Sequence, residues 1–141
     1  MNKSELGLGT WQFGASYGFW TDQDQSASRA VLRLALKSGI IHFDTAPSYG
    51  NGLSEQLLSS VLQPRNTLHV ASKFMPKTPD LVRNDVLKSL RRLKTEYLDI
   101  LYLHWPSSAL TMKPIMREAC SLIKEGLVRE VGACNIPLSY L

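Results

Sequence analysis

Four side chains stand out for what they could do together: Asp44, Tyr49, Lys73 and His104. A carboxylate, a phenol, an amine and an imidazole make no nucleophile positioned by a base, and they lack the spacing of a metal-ligand cluster. They suit another task, polarising a carbonyl and handing it a proton. A phenol is a weak acid, with an unperturbed pKa of about 10, so donation at neutral pH improves when a nearby cation stabilises the tyrosinate left behind. Lys73 can be that cation, Asp44 can hold it charged and oriented, and His104 can donate to or orient the carbonyl oxygen from the other side. Reducing C=O without a metal or a redox thiol needs an organic hydride donor, most simply a nicotinamide. The first apolar run is not followed by Gly-x-Gly-x-x-Gly, so a Rossmann mode of cofactor binding is not expected.

Spacing is the reason to group these residues. Asp44, Lys73, His104 and Asn135 are separated by 29, 31 and 31 residues, about one βα unit each time, and each sits at or just beyond a predicted strand end. In a parallel sheet all C-terminal strand ends lie on one side, so the four must converge on one mouth. Tyr49 lies in the short loop that leaves the strand ending at Asp44. One polar residue at a strand end is ordinary, because the chain is leaving the core there. A carboxylate, an amine and an imidazole facing one cleft would be a costly accident of burial.

The elements that must position them are short apolar runs alternating with segments of helical periodicity, which implies βαβ units, an α/β fold and a parallel sheet. Strands are predicted at Leu6–Gly9, Ile40–Asp44, Leu68–Ser72, Ile100–Leu103 and Val128–Ala133. The first helix carries Ala27, Ala30, Val31, Leu34 and Ala35, with Asp22 or Asp24 as its cap and Gly39 as its stop. A second carries Leu53, Leu57, Leu58, Val61 and Leu62 and ends before Pro64, and a third spans about Asp80 to Leu93. A fourth runs from about Pro114 to Lys124 and stops at Gly126, while Pro137 opens another. All of these follow from the residue pattern alone.

The 141 residues suffice for one ordinary domain, and 44% hydrophobic with 20% charged residues is globular usage. The net charge of +4 is spread out, with only Arg91, Arg92 and Lys94 crowded together, so no nucleic-acid-binding arm is expected and Arg91 and Arg92 are read as a solvated helix face. No apolar run suits a membrane span or a signal peptide, which makes the cytoplasm the default compartment. Cys120 and Cys134 are expected to be reduced, buried thiols.

Gly7-Leu8-Gly9-Thr10-Trp11, Phe43-Asp44-Thr45-Ala46-Pro47-Ser48-Tyr49-Gly50 and Leu103-His104-Trp105-Pro106 together resemble the strand-end motifs of the aldo-keto reductases. Lys73 in Ala71-Ser72-Lys73 and Asn135 in Val131-Gly132-Ala133-Cys134-Asn135 also match, in the same order and over nearly the whole chain. The resemblance implies a TIM (β/α)8 barrel and interconversion of an aldehyde or ketone with its alcohol, with NADPH ahead of NADH as cofactor. Tyr49 would be the general acid, with Lys73, Asp44 and His104 as its partners. Gly9, Thr10, Trp11 and Asp44 would border the nicotinamide, and Asn135 would hydrogen-bond its carboxamide. Trp11 and Trp105, with Phe19 or Trp20, would line an apolar substrate pocket, although loop packing is an equal reading for Phe19 and Trp20. His42 and His69 match no catalytic position and are read as structural.

Two departures from the family pattern are visible. Cys134 stands where relatives usually have serine, and a thiol is a weaker hydrogen-bond partner. A closed barrel typically takes about 250 residues, so residues 1–141 read as the N-terminal half of one barrel domain, with four βα units and a fifth strand. The family's nicotinamide-stacking aromatic and its 2′-phosphate loop belong to later strands. A chain of this extent is therefore expected to turn over little and to bind NADPH weakly. Its open edges would favour self-association or a complementary half-barrel. Two other readings stay open at this point: a non-catalytic binding or regulatory module on the same fold, and an unrelated barrel enzyme using Lys73 as a Schiff base.

Overall fold

Five parallel strands pair in the order β1-β2-β3-β4-β5, so each strand's partner in space is its neighbour in sequence. They are β1 (Gly7–Gly9), β2 (His42–Asp44), β3 (His69–Phe74), β4 (Leu98–Leu103) and β5 (Val128–Ala133). The helices between them are α1 (Gln25–Lys37), α2 (Leu53–Ser59), α3 (Pro79–Leu93) and α4 (Met112–Lys124). This computed structural model describes residues 6–14, 23–75, 77–107 and 110–137. The expected alternation of four βα units and a fifth strand is therefore present, as part of a TIM-barrel sheet. Phe19, Trp20 and Asp22 lie outside the described residues, as does any helix continuing beyond Pro137.

The boundaries shift in ways that matter for the site. Strand β3 continues to Phe74 rather than stopping at Ser72, so Lys73 is held by strand pairing, in register with Tyr102. Helix α2 ends at Ser59, and Val61 and Leu62, expected on its apolar face, are buried just beyond it. Helix α4 starts at Met112, which puts Pro114 in the first turn, where its missing N–H has no intrahelical partner to lose. At the start of α1, Asp24 accepts from the Ser26 backbone N–H at 2.7 Å and the Ser26 hydroxyl at 2.8 Å. These bonds hold its carboxyl below the usual carboxylate value.

Alternation along the strands sorts side chains between two faces. Phe43, Val70, Phe74, Leu101 and Leu103 are buried against the helices, where Leu32, Leu57, Leu58, Val86, Leu93, Ile115 and Leu122 complete the core. On α1 the buried stripe is Ser28, Leu32 and Ala35, while Val31 and Leu34, expected on the core face, are exposed. The opposite sheet face carries the row His42 and His69, then Asp44, Ala71 and Ile100, then Lys73, Tyr102 and Gly132. This face borders a recess of about 410 Å3 lined in part by His42, His69, Ile100 and Tyr102. Gly132 leaves room for the Tyr102 ring: a Cβ there would meet its Cε1 at 2.6 Å.

Two buried carboxylates tie the layers together, and neither stood out in the sequence. Asp99 accepts from Arg65 at 2.7 Å, Arg129 at 2.7 Å and the Val70 N–H at 2.8 Å. Both guanidiniums also stack on Tyr97, at 4.2 and 4.1 Å from the ring centre. Glu55, wholly buried on α2, accepts from the Ser72 hydroxyl at 2.7 Å and from Arg92 of α3. Arg92 therefore turns inward, against the expectation of a solvated Arg91–Arg92 face. The reason is that α2 and α3 lie side by side, and a buried carboxylate needs a cation.

The cysteines are unpaired, as expected, yet Cys120 is exposed and Cys134 only half-buried. The buried stripe of α4 runs through Ile115, Ala119 and Leu122, and Cys120 follows Ala119 around to the outer side. No described helix is long and apolar enough to cross a membrane.

Candidate active site

Strand pairing places the four side chains. Asp44 is the last residue of β2 and pairs with Ala71, so Lys73 sits one pleat further along β3 on the same face. The Lys73 ammonium donates to both Asp44 oxygens, at 2.7 and 2.6 Å, to the Thr45 carbonyl at 2.9 Å and to the Tyr49 hydroxyl at 3.2 Å. Only 7% of its side-chain surface is exposed, against 43% for Asp44. The amine is thus engaged by Asp44, Thr45 and Tyr49, which disfavours the Schiff-base reading, since nucleophilic attack needs an amine freed from such partners.

Tyr49 is delivered by a loop with little room to move. A Cβ on Gly50 would lie 1.6 Å from the Gly14 carbonyl oxygen, and one on Gly14 would lie 2.3 Å from the Tyr49 carbonyl carbon. The backbones at Gly14 and Gly50 touch as only glycines allow. Beneath the loop, Ser54 donates to the Thr10 carbonyl at 2.8 Å and lies 2.6 Å from the Thr10 hydroxyl and 3.1 Å from that of Thr45. Thr10 donates in turn to the Asp44 carbonyl, at 2.9 Å. This buried hydroxyl cluster was missed in the sequence. The available signal was Ser54 and Glu55 standing beside Leu57 and Leu58 near the start of an otherwise apolar helix face.

His104 follows β4 directly, and its backbone N–H donates to the Phe74 carbonyl at 2.9 Å. Its ring meets the Tyr49 ring edge-on, with centroids 5.9 Å apart. Burial first, and the Lys73 charge second, hold its imidazole below the ordinary 6.5, against the opposing pull of Asp44. Its neutral form is therefore favoured, and that form can donate through one ring nitrogen. The unfolded chain takes up this proton at higher pH than the folded one. Stability attributable to His104 is thus present above 6.5 and lost as pH falls below that value. Histidine ring signals followed by NMR, with His104→Gln for assignment, should show a His104 midpoint under 6.5; a midpoint at or above it would contradict this environment.

The remaining site candidates surround this mouth. The Trp11 ring lies 6.4 Å from that of Tyr49, and the Trp105 ring 6.2 Å from that of His104. Both indoles are about half exposed, at 51% and 52%, which leaves them apolar surface to offer a ligand. Gly9 has open space where a Cβ would stand, whereas the Thr10 side chain is buried. Asn135 donates to the His104 carbonyl at 2.7 Å, which ties the end of β5 to that of β4. Next to it, burial pushes the Cys134 thiol up against the pull of Lys73. His42 and His69 begin their strands, so they lie at the far end of the sheet from the tetrad, with rings 4.9 Å apart. Among the described residues, no cluster of three or more His, Cys, Asp or Glu could hold a metal.

Known proteins similar to this chain match it along nearly its whole length. Aldo-keto reductase YhdN of Bacillus subtilis is 29% identical over 151 aligned residues, covering 98% of this chain and 45% of its own length. The NADH-specific methylglyoxal reductase of Escherichia coli is likewise 29% identical, over 98% of this chain and 50% of its length. The crystal structure of an aldo/keto reductase from Klebsiella pneumoniae, in complex with NADP and acetate, superposes with a TM-score of 0.83 at 28% identity. It is matched over 94% of this chain and 46% of that one. The chain spans about half the length of the curated relatives it matches. The model of the Aldo/keto reductase family matches residues 5–141, and with the parallel sheet and the strand-end mouth in place, the chain belongs to that family.

Proposed function

We propose that this chain supplies the proton-donating half of a nicotinamide-dependent carbonyl reductase that converts an aldehyde or ketone to its alcohol. The observation that carries this reading is the Lys73 ammonium donating to the Tyr49 oxygen while both Asp44 oxygens hold it. An oxygen that accepts from Lys73 has its own proton to direct elsewhere, into the mouth. As that proton passes to a carbonyl oxygen, the charge growing on Tyr49 meets a cation already in place, with no reorganisation needed. Neutral His104 donates to the same carbonyl oxygen and fixes its position.

The bound nicotinamide would supply the hydride. Gly9, Trp11, Asp44 and Asn135 would border it, with Thr10 contributing through its backbone, and the open space at Gly9 together with half-exposed Trp11 fits a flat ring near the mouth. NADPH is our reading of the cofactor: the Klebsiella relative was solved with NADP, while the Escherichia coli relative is named for NADH. Trp11 and Trp105 would provide an apolar wall for the substrate. Residues 1–141 would form the N-terminal half of a single barrel, working in the cytoplasm where reduced nicotinamide and reduced thiols are both at hand.

The test is aldehyde-dependent oxidation of NADPH by a protein in which this chain forms part of a whole barrel. Turnover is expected there, and at most a trace is expected from the 141-residue chain alone, because the rest of the barrel would hold much of the cofactor. No turnover of any aldehyde or ketone by the whole barrel, with either cofactor, overturns the proposal.

A further inference from the structure

A second recess, of about 230 Å3, opens beside the tetrad between the Tyr49 loop and α3. It is lined by Lys73 and His104 and by Asp85, Lys88 and Arg92, whose spacing along α3 sets them on one face. Lys77, from the loop between β3 and α3, lines it as well, as do Ser48 and Asn51.

Charge in this recess is unbalanced. Lys73 and Arg92 are answered by Asp44 and Glu55, neither of which lines it. Lys77 and Lys88 both lean on the single carboxylate of Asp85, at 3.3 and 3.4 Å. One anion serving two ammoniums leaves a net positive charge, and each ammonium has N–H donors to spare. Ser48 and Asn51 can add neutral donors. A concave site rich in donors and poor in acceptors attracts an oxyanion. Exposed lysines alone would signify only a solvated helix face. Here they share a recess with Lys73 and His104, and both of these also contact Tyr49, so a group bound among them lies next to the reacting end.

We infer that this recess receives the carboxylate or phosphate of a short acidic aldehyde or ketone whose carbonyl lies at Tyr49 and His104. The inference rests on the reductase reading and narrows it to anionic substrates. The recess, of about 230 Å3, has room for an oxyanion group and a few carbons.

The first experiment needs no catalysis. The 141-residue chain is titrated separately with inorganic phosphate and with acetate, and the amide signals of Ser48, Asn51 and Met75 are followed by NMR. Saturable shifts are expected for at least one anion, weakened about tenfold in the double variant Lys77→Gln/Lys88→Gln, the loss of roughly one charge-assisted contact. Lys113→Gln, which removes an exposed lysine on α4, should leave them unmoved. Shifts that never saturate, or that weaken equally in Lys113→Gln, overturn the inference. The stronger of the two anions tells a phosphorylated substrate from a carboxylated one.

The second experiment uses the whole barrel and compares kcat/KM for an acidic aldehyde with that for a neutral aldehyde of equal length. The ratio of acidic to neutral is expected to fall about tenfold in the double variant. Turnover of both with an unmoved ratio overturns the inference alone. Anion binding that persists without any turnover overturns the reductase reading instead, leaving an anion site of another purpose.

Discussion

Tyr49→Phe is expected to lower kcat of the whole barrel by about 10²–10⁴-fold, the range typical of losing a positioned general acid. The substitution removes one oxygen and keeps the ring that packs edge-on to His104 and beside Trp11. Substrate binding should change far less, because the proposed apolar wall and the proposed His104 donor remain. In the 141-residue chain the same variant loses a single half-exposed hydrogen bond from Lys73 at 3.2 Å, so its unfolding free energy should move by at most about 1.5 kcal/mol. Steady-state kinetics and urea unfolding together separate the two effects. Retention of near wild-type kcat would remove Tyr49 from the mechanism, whatever the stability result.

Arg92→Met should have the largest effect on stability, about 3–5 kcal/mol, the usual cost of stripping the partner from a buried charge. Glu55 has no access to water and would keep only the Ser72 hydroxyl. Of a total stability of about 5–15 kcal/mol, that is enough to unfold much of the population at modest urea. The companion variant Arg92→Met/Glu55→Leu removes both charges and should recover a large part of the loss, since an apolar pair of similar volume can replace a buried ion pair. Urea denaturation of the chain reads both midpoints. If the single variant were as stable as wild type, the Arg92–Glu55 pair would contribute nothing to seating α3 on α2. If the double variant were no better than the single one, packing rather than charge would hold α2 to α3.

The sheet and the tetrad were legible in the sequence for the same reason. Period-two apolar runs fix which residues share a face, and a repeat of about thirty residues brings Asp44, Lys73 and His104 to the same edge of that face. What escaped depends on how helices sit beside one another, which local pattern does not encode. Arg92 next to Arg91 and Lys94 looks like a solvated run, and only the packing of α3 on α2 turns its head toward Glu55. Asp99 lies inside the apolar run Leu98-Asp99-Ile100-Leu101, and its partners Arg65 and Arg129 come from different βα units, which no local pattern links. Cys120 was misjudged because cysteine is a frequent core residue, whereas the helix stripe it belongs to is decided by Ile115 and Ala119. The basic recess was hidden for a similar reason, since Lys77 and Lys88 come from separate elements and meet at Asp85 only in three dimensions.

The pairing order has a consequence for how the protein is made. Because each of these strands follows its sheet neighbour directly in sequence, this part of the sheet can extend unit by unit as the chain leaves the ribosome. Asp44, Tyr49 and Lys73 are then all present once β3 has emerged, so their charge cluster can close while His104 is still to be translated. Of the tetrad, Tyr49 and Lys73 would assemble first, and His104 would arrive last.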